Sequence, residues 1–236
     1  RIAVIFGGHS TEHDVSLQSA FSVLQNINRK HFEIVPVGIT RDGEWYHYTG
    51  KIENISNNSW FEDEENLYPV MVSQSRLAQG FTEFHGNKFR EIPVDLVFPI
   101  LHGKNGEDGT LQGLFELAGI PVVGCNTLSS AICMDKDRAH KLVSLAGIAV
   151  PGSVCFRRFE KEMAVGEIKK KLRCPLFVKP VRAGSSFGIT RINEMRQLDA
   201  AAELAFQYDK EVIVEEAVHG FEVGCAVLGS QNLTVG

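Results

Sequence analysis

The sequence predicts an α/β protein in which a domain built on a mostly parallel sheet is followed by a second α/β domain. Residues 1–8, "RIAVIFGG", form an apolar run closed by two glycines, which is typical of a buried parallel strand. A helical pattern and a second apolar run at residues 33–39 come next, so these segments make a βαβ unit. The parallel pattern returns at residues 95–103, and a different order of strands and helices begins after Gly124.

The first helix is predicted from apolar residues that recur at helical spacing, namely Leu17, Ala20, Phe21, Leu24 and Ile27. Thr11, just before this helix, and Asp14, three residues later, predict a capping box in which aspartate replaces the usual glutamate. Two segments predict hairpins, because residues 40–50 contain an Asp-Gly turn and residues 81–92 a Gly-Asn turn. The acidic stretch at residues 62–66 is predicted to be solvated surface.

The remaining elements follow from the same patterns. The first domain ends with a helix at residues 110–119 and a short strand at residues 121–124. A helix at residues 134–148 opens the second domain, with Gly147 as its C-terminal cap. The later elements are predicted as a strand at 150–156, a lysine-rich helix near 160–172, strands at 175–180 and 189–192, a helix around 198–208, and strands at 211–218 and 221–230.

These patterns divide the chain into three parts. Residues 1–124 are predicted to form an N-terminal α/β substrate domain, residues 125–217 a central subdomain, and residues 218–236 the start of a C-terminal subdomain. The sequence contains no internal repeat and no low-complexity linker.

The composition and charge exclude several classes of partner. The 236 residues are 44% hydrophobic and 22% charged, as in an ordinary globular protein. A formal net charge of -5 provides no basic field for nucleic acid or for an anionic membrane surface. No apolar run approaches the ~20 residues that span a bilayer, and residues 1–8 lack the regions of a secretion signal. We therefore expect small-molecule partners and a cytoplasmic protein.

The five cysteines indicate reduced thiols. Cys125, Cys133, Cys155, Cys174 and Cys225 are an odd number at irregular spacings with no C-x-x-C pair, which favours neither a disulfide framework nor a zinc site. Their small or apolar neighbours predict buried structural thiols, and a catalytic cysteine is the alternative. We predict no metal-ligand set within these residues.

A lysine followed by a glycine-rich loop predicts a phosphate site. In residues 176–189, "LFVKPVRAGSSFGI", an apolar strand carries Lys179 and leads into a loop that contains Gly184, Ser185 and Ser186. The ammonium group would lie over a ligand bound against the sheet, and the loop would bring backbone N–H groups to phosphate oxygens. The alternative is a polar hairpin loop after an edge strand.

Two other segments fit a nucleotide. The strand at 211–218 ends in four residues that are placed to line an adenine ring, namely Glu215, Glu216, Ala217 and Val218. Glu222 is a further candidate for a ribose hydroxyl, and Lys136 at a helix start would add a second positive charge beside a triphosphate. The alternatives are solvated glutamates and a surface lysine.

The order of these motifs resembles the ATP-grasp ligases. The blocks are M-D-K, V-K-P-x-R-x-G-S-S-x-G and E-x-x-V-x-G-x-E. With "GGHSTEHDVSL" and "LHGKNGEDGTLQGLFELAGIPVVG", they make essentially the whole chain similar to the D-alanine:D-alanine ligase family. The segments "GITRDGEWYHYTG" and "VGCNTLSSAICMDKDRAHKLVSLAGI" are similar to its vancomycin-resistance type, in particular the VanG-like D-alanine:D-serine ligases. The resemblance implies a preATP-grasp domain with a Rossmann-like parallel sheet, followed by an incomplete ATP-grasp domain.

The resemblance also implies an activity and roles for named residues. Such ligases use ATP to phosphorylate one D-alanine, and the amine of a second D-amino acid, D-serine or D-alanine, attacks the acyl phosphate to form a peptidoglycan precursor. By this resemblance Glu12 holds the ammonium group of the first D-alanine, His102 lies beside that substrate, and Ser185 links the glycine loop to Glu12. ATP would contact Lys136, Lys179, Gly184, Ser186, Glu215, Glu216, Ala217, Val218 and Glu222.

The family's magnesium ligands, its acyl-phosphate arginine and its lid loop would follow residue 236. We therefore expect ATP and Mg²⁺ as cofactors, magnesium ligands beyond residue 236, a homodimer, and no turnover by residues 1–236 alone. Three alternatives stay open: another ATP-grasp carboxylate-amine ligase, a nucleotide-binding module without catalysis, and a nicotinamide enzyme. The last is disfavoured because "GGHSTE" lacks G-x-G-x-x-G.

Overall fold

The computed structural model describes residues 1–236, and its largest element is a seven-stranded sheet. The strands are β1 (Ile2–Gly7), β2 (Ile34–Ile39), β3 (Trp45–Tyr48), β4 (Leu67–Val72), β5 (Gly80–His85), β6 (Lys88–Pro93) and β7 (Leu96–Pro99). They lie in the order β6-β5-β4-β3-β2-β1-β7. Strand β1 pairs in parallel with β2 and β7, whereas β2 to β6 pair as antiparallel neighbours. The predicted parallel sheet is present and carries an antiparallel extension.

A four-stranded antiparallel sheet forms the second part, in the order β10-β9-β11-β8. Its strands are β8 (Ser153–Arg157), β9 (Leu176–Pro180), β10 (Thr190–Ile192) and β11 (Glu211–Glu216). Two short strands, β12 (Val227–Leu228) and β13 (Thr234–Val235), pair with each other. The helices of the whole chain are α1 (His13–Asn26), α2 (Glu53–Ser56), α3 (Thr110–Ala118), α4 (Thr127–Met134), α5 (Lys136–Leu145), α6 (Lys161–Lys171) and α7 (Leu198–Ala205).

Strand β1 is buried on both faces, which explains its unbroken apolar sequence. Successive side chains of a strand point to opposite sides. Accordingly, Ala3 and Ile5 join the core cluster that contains α3, whereas Val4 and Phe6 join the cluster that contains α1. A third cluster, drawn from residues 154–214, fills the second part. The part of the chain that contains the seven-stranded sheet and the part that contains the four-stranded sheet therefore have separate apolar cores.

Both predicted hairpins are confirmed. Strands β2 and β3 are joined through Gly43, whose φ is +94°. Strands β5 and β6 are joined through Gly86, whose φ is +61°. Glycine suits both turns because it adopts a positive φ without a Cβ clash.

The extension of the sheet contains a buried carboxylate. Glu83 on β5 is fully buried, and His47 Nδ1, His85 Nε2 and Arg90 Nε lie 2.5, 2.5 and 2.6 Å from its oxygens. Burial raises the pKa of Glu83, but the hydrogen bonds from Arg90, His47 and His85 outweigh burial and lower the pKa below its usual value. The ionised form is therefore the stabilising one.

Glu83→Gln is expected to lower the free energy of unfolding at pH 7 by about 1.5 to 3 kcal/mol, the contribution of hydrogen bonds to a charged group. Because the folded-state pKa is depressed, this stabilisation is present above the unfolded pKa of about 4.3 and is lost as pH falls through the folded pKa. Urea unfolding at pH 7 and in acid measures both effects. Glu91→Gln, at an exposed site on β6, is the control, and a pH-independent difference between Glu83→Gln and the native protein would contradict the assignment.

Several local predictions were wrong. No capping box forms, because no side chain caps α1 and the Glu12 N–H instead donates to Ser10 Oγ at 3.0 Å. The alternating run at residues 221–230 contributes only the two residues of β12. The predicted strand at residues 121–124 is reduced to a single parallel bridge between Val122 and Val97. Helix α4 was not predicted, because Ser130 is its one buried residue and no apolar face marks it.

The cysteines are less buried than predicted. Cys125, Cys133 and Cys225 are exposed, and Cys155 and Cys174 are half-buried. Cys125 follows the Val122 bridge, Cys133 lies on α4, and Cys225 lies in an irregular segment. Cys155 lies within β8, and Cys174 lies two residues before β9. Small neighbours therefore did not imply burial. Burial does raise the pKa of the Cys155 thiol to about 12, which keeps it protonated and unreactive.

The predicted helix at 134–148 is confirmed with a later start, as α5. Its end is capped as expected, because Gly147 has a φ of +81° and the Ile148 N–H returns to Val143 O at 3.1 Å. No helix in the chain combines the length and apolar character that crossing a membrane requires.

Candidate active site

The glycine loop, residues 184–188, follows β9 and reaches the start of α1. Ser185 and Ser186 have left-handed φ values of +44° and +61°, a conformation that costs L residues energy and that clusters at functional sites. Ser185 Oγ donates a hydrogen bond to Glu12 Oε1. A Cβ on Gly184 would lie 2.9 Å from Glu12 Oε2, so a side chain at this position would displace the Glu12 carboxylate. The loop and α1 are thus joined across 173 residues of sequence.

Glu12 lies at the N-terminal end of α1 and is only 6% exposed. Its carboxylate also packs against Gly103, where a side chain would clash. An open cleft of about 450 Å³ lies beside it and is lined in addition by Ser10, Arg41, Lys104 and Tyr208. The helix dipole stabilises negative charge at a helix N-terminus. The Glu12 carboxylate could bind an ammonium group there, while Arg41, Lys104 and Arg182 give other parts of the same cleft positive charge.

His102 follows β7 at the end of the sheet where functional residues of parallel sheets gather. Its Nε2 lies 3.2 Å from Ser19 Oγ, and its carbonyl accepts a hydrogen bond from Ser10 Oγ at 2.9 Å. Ser16 Oγ accepts a hydrogen bond from the Gly7 N–H at 2.8 Å and donates one to Ile100 O. Ser10 and Ser16 therefore tie the start of α1 to the backbone at the ends of β1 and β7.

The two predicted lysines lie together. Lys179 Nζ donates to Glu215 Oε2 at 2.6 Å, and the Glu215 side chain is only 4% exposed. Burial, and then the positive charge of Lys179, lower the pKa of Lys136. His140 Nδ1 lies 3.5 Å from Glu215 Oε1, and neither buried atom has a hydrogen-bond partner. Lys136 and Lys179 therefore bring two ammonium groups close together, where they could bind phosphate oxygens.

The other predicted nucleotide residues do not join this cluster. Glu216 Oε1 accepts from Arg173 N at 3.1 Å, which turns its carboxylate away from the lysines. The Ala217 N–H donates to Pro175 O at 3.1 Å, and Val218 is 76% exposed. Glu222 is exposed in an irregular segment. Of the four residues from 215 to 218, only Glu215 contacts a predicted phosphate lysine.

Sequence reasoning missed an acidic and basic cluster behind the loop. Arg182 contacts the carboxylates of Asp135, Asp209 and Glu211. The arginine was visible as the fixed R in V-K-P-x-R-x-G-S-S-x-G. Its partners were not, because they are 27 to 47 residues away.

No metal site is formed by residues 1–236, since no three His, Cys, Asp or Glu side chains come together in a way that would hold an ion. The residues present therefore do not fit a Mg²⁺ ion. Lys136, Lys179 and the glycine loop do bring positive charge and backbone N–H groups together, which is the combination that the phosphates of a nucleotide require.

Comparison with known families covers both parts of the chain. Residues 1–125 match the family model for the D-ala D-ala ligase N-terminus, and residues 142–236 match that for the D-ala D-ala ligase C-terminus. The chain belongs to the D-Ala-D-Ala ligase family. The predicted fold class, a preATP-grasp domain followed by ATP-grasp structure, is confirmed with it.

Individual ligases in this family are similar over nearly the full chain. The D-alanine–D-alanine ligase of Caldicellulosiruptor bescii is 42% identical over 100% of the chain and 65% of the relative. The vancomycin B-type resistance protein VanB of Enterococcus faecalis is 44% identical over 98% of the chain and 64% of the relative. The crystal structure of the VanG D-Ala:D-Ser ligase from Enterococcus faecalis superposes with a TM-score of 0.93 at 69% identity, covering 100% of the chain and 67% of that structure. The chain spans about 65% of the length of the curated ligases it matches.

Proposed function

We propose that residues 1–236 form the nucleotide site and the first amino-acid site of an ATP-dependent D-alanine:D-X ligase. The observation that carries this proposal is the hydrogen bond from Ser185 Oγ to Glu12 Oε1. It joins a glycine loop preceded by Lys179 to a buried carboxylate at a helix N-terminus. A phosphate donor and an ammonium-bearing acceptor would therefore lie on the two sides of one loop.

The chemistry requires this neighbourhood. A carboxylate is a poor electrophile, so a carboxylate oxygen of the first D-alanine first takes the γ-phosphoryl group of ATP, and ADP leaves. The amine of the second D-amino acid then attacks the acyl carbon, the amide bond forms, phosphate leaves and the amine loses a proton. Holding both reactants in place removes most of the entropic cost of their encounter.

We assign roles to side chains on this basis. Glu12 would bind the ammonium group of the first D-alanine, and His102 would lie beside it. Lys136 and Lys179 would stabilise negative charge on the phosphates, as charge-assisted contacts do. Gly184 and Ser186 would support the loop over the nucleotide.

The adenosine part is assigned to the end of β11. Glu215, Glu216, Ala217 and Val218 would line the adenine through their backbone, which is compatible with the Glu215 carboxylate binding Lys179. Glu222 would reach the ribose. We also propose a homodimer on the basis of the family resemblance, and light scattering of the full-length protein measures it.

D-serine is proposed as the second substrate, with D-alanine as the next choice. The support is the 69% identity with the VanG D-Ala:D-Ser ligase. The D-alanine–D-alanine ligase and VanB sequences named above are 42% and 44% identical.

The full-length protein with ATP, Mg²⁺, D-alanine and D-serine is expected to release phosphate and form D-alanyl-D-serine, identified by mass spectrometry. L-serine is the matched control and should give no product. Phosphate release that depends on an L-amino acid would contradict the substrate class. Nucleotide binding without turnover of any D-amino acid would favour a non-catalytic module. We expect no turnover by residues 1–236 alone.

A further inference from the structure

The three residues that join β9 to the glycine loop are held from the side of α5. We call residues 181–183 the linker. Lys136 Nζ donates to Val181 O at 3.3 Å and to Ala183 O at 2.7 Å. The Lys136 backbone N–H also donates to Val181 O, at 3.2 Å. The proposed phosphate lysine is therefore bonded directly to the base of the loop.

Arg182, in the middle of the linker, is held from the opposite side. Its backbone N–H donates to Asp209 Oδ2 at 2.7 Å, and its Nε and Nη2 reach the same carboxylate at 3.1 and 2.8 Å. Nη2 also lies 2.8 Å from Glu211 Oε2. The hydrogen bonds to Asp209 outweigh burial and raise the pKa of Arg182 above its usual value, so the guanidinium is always charged.

The same guanidinium reaches the start of α5. Arg182 Nη1 donates to Asp135 Oδ2 at 3.2 Å. Asp135 is 3% exposed and caps α5, since its side chain accepts from Arg138 N at 3.0 Å. Lys136 is the next residue. Arg182 thus connects the linker to the backbone that carries Lys136.

An ammonium group has three N–H donors. Two of those on Lys136 go to linker carbonyls, which leaves one for a phosphate oxygen. At the other end of the linker, Ser185 donates to Glu12. Polar contacts of Lys136 and Ser185, joined by the backbone of residues 181–185, therefore connect the phosphate position to the proposed ammonium anchor.

We propose that Arg182 is a positioning residue that couples nucleotide binding to binding of the first D-alanine. This inference rests on the proposed function. A nucleotide that orders Lys136 also orders the linker, and with it the Ser185 contact to Glu12. Such coupling is reciprocal, because each ligand must change the affinity for the other by the same factor.

The test uses the full-length protein and a non-hydrolysable ATP analogue. Its Kd is measured with and without saturating D-alanine, and the ratio of the two values reports coupling. We expect a ratio of about 5 or more for the native protein, in the usual range of coupled sites. Arg182→Met is expected to bring the ratio close to 1, and Arg182→Lys to restore part of it, since lysine keeps the charge but reaches fewer acceptors.

Arg157→Met is the matched control. Arg157 Nε also binds Glu211, at 3.0 Å, but it makes no contact with the linker, so its loss should leave the ratio unchanged. If Arg182→Met does not fold, Asp209→Asn replaces it, because this variant removes the negative charge from the same contact. The ratio of Kd values in Asp209→Asn then tests the coupling.

Three results would overturn the inference. They are a ratio of 1 in the native protein, an unchanged ratio in Arg182→Met (or in Asp209→Asn where it replaces that variant), and an equal fall of the ratio in Arg157→Met. Failure of the proposed function has a different signature. In that case the native protein forms no dipeptide from D-alanine and either D-amino acid, whatever the ratio of Kd values.

Discussion

Lys179→Ala is expected to lower both the nucleotide affinity and the stability of the fold. Glu215 is buried and its shortest ionic contact is with Lys179, so the substitution removes the closest counter-charge of a buried carboxylate. Breaking a buried ion pair completely costs about 3 to 5 kcal/mol, and the remaining positive charge of Lys136 should make the loss of stability smaller than that. Separately, loss of the charge-assisted contact with phosphate weakens nucleotide binding by about 1.5 to 3 kcal/mol, which raises the Kd about 10- to 150-fold. Urea unfolding and titration with an ATP analogue measure the two effects.

A second substitution separates the two effects. Lys179→Ala combined with Glu215→Gln removes the buried charge and should recover most of the stability, while the weak nucleotide binding should persist. Lys171→Ala is the surface control, because Lys171 is 60% exposed and pairs only with Glu167. Recovery of nucleotide affinity in the double variant would show that Lys179 acts through the fold and not through phosphate.

Glu12→Gln is expected to raise the KM for the first D-alanine while leaving the fold intact. Glutamine keeps the shape and still accepts the Ser185 hydrogen bond, but it loses the charge that would bind the ammonium group. A charge-assisted hydrogen bond contributes about 1.5 to 3 kcal/mol, which corresponds to an increase in KM of about 10- to 150-fold. Steady-state kinetics of the full-length protein at saturating ATP measure it.

Asp14→Asn provides the control for Glu12→Gln. Asp14 lies in the first turn of the same helix, but its side chain is 72% exposed and pairs with Arg41. The substitution removes one negative charge from the same helix end without touching the cleft carboxylate. An unchanged KM in Glu12→Gln, or an equal rise in Asp14→Asn, would contradict the role of Glu12.

Predictions from the sequence succeeded where a local pattern reports a local structure. The unbroken apolar run of β1 reflects a strand covered on both faces, and the Asp-Gly and Gly-Asn turns place two hairpins. Where an element contributes little to a core, the signal disappears. Helix α4 buries only Ser130, and the run at 221–230 is exposed throughout, so its alternation did not reflect a sheet face.

The sequence by itself determined the family, because five motifs in a fixed order are far more specific than any one of them. It also determined that Lys179 precedes the glycines of its loop, which is the order that the proposed phosphate site needs. Only the tertiary structure decided which side chains meet. Ser185 and Glu12, Lys179 and Glu215, and Arg182 and Asp135 are 173, 36 and 47 residues apart. Sequence periodicity predicts which side chains share a face of one helix or strand. A hydrogen bond between distant residues needs two atoms within about 3 Å of each other. The packing of the two sheets and their helices sets that distance.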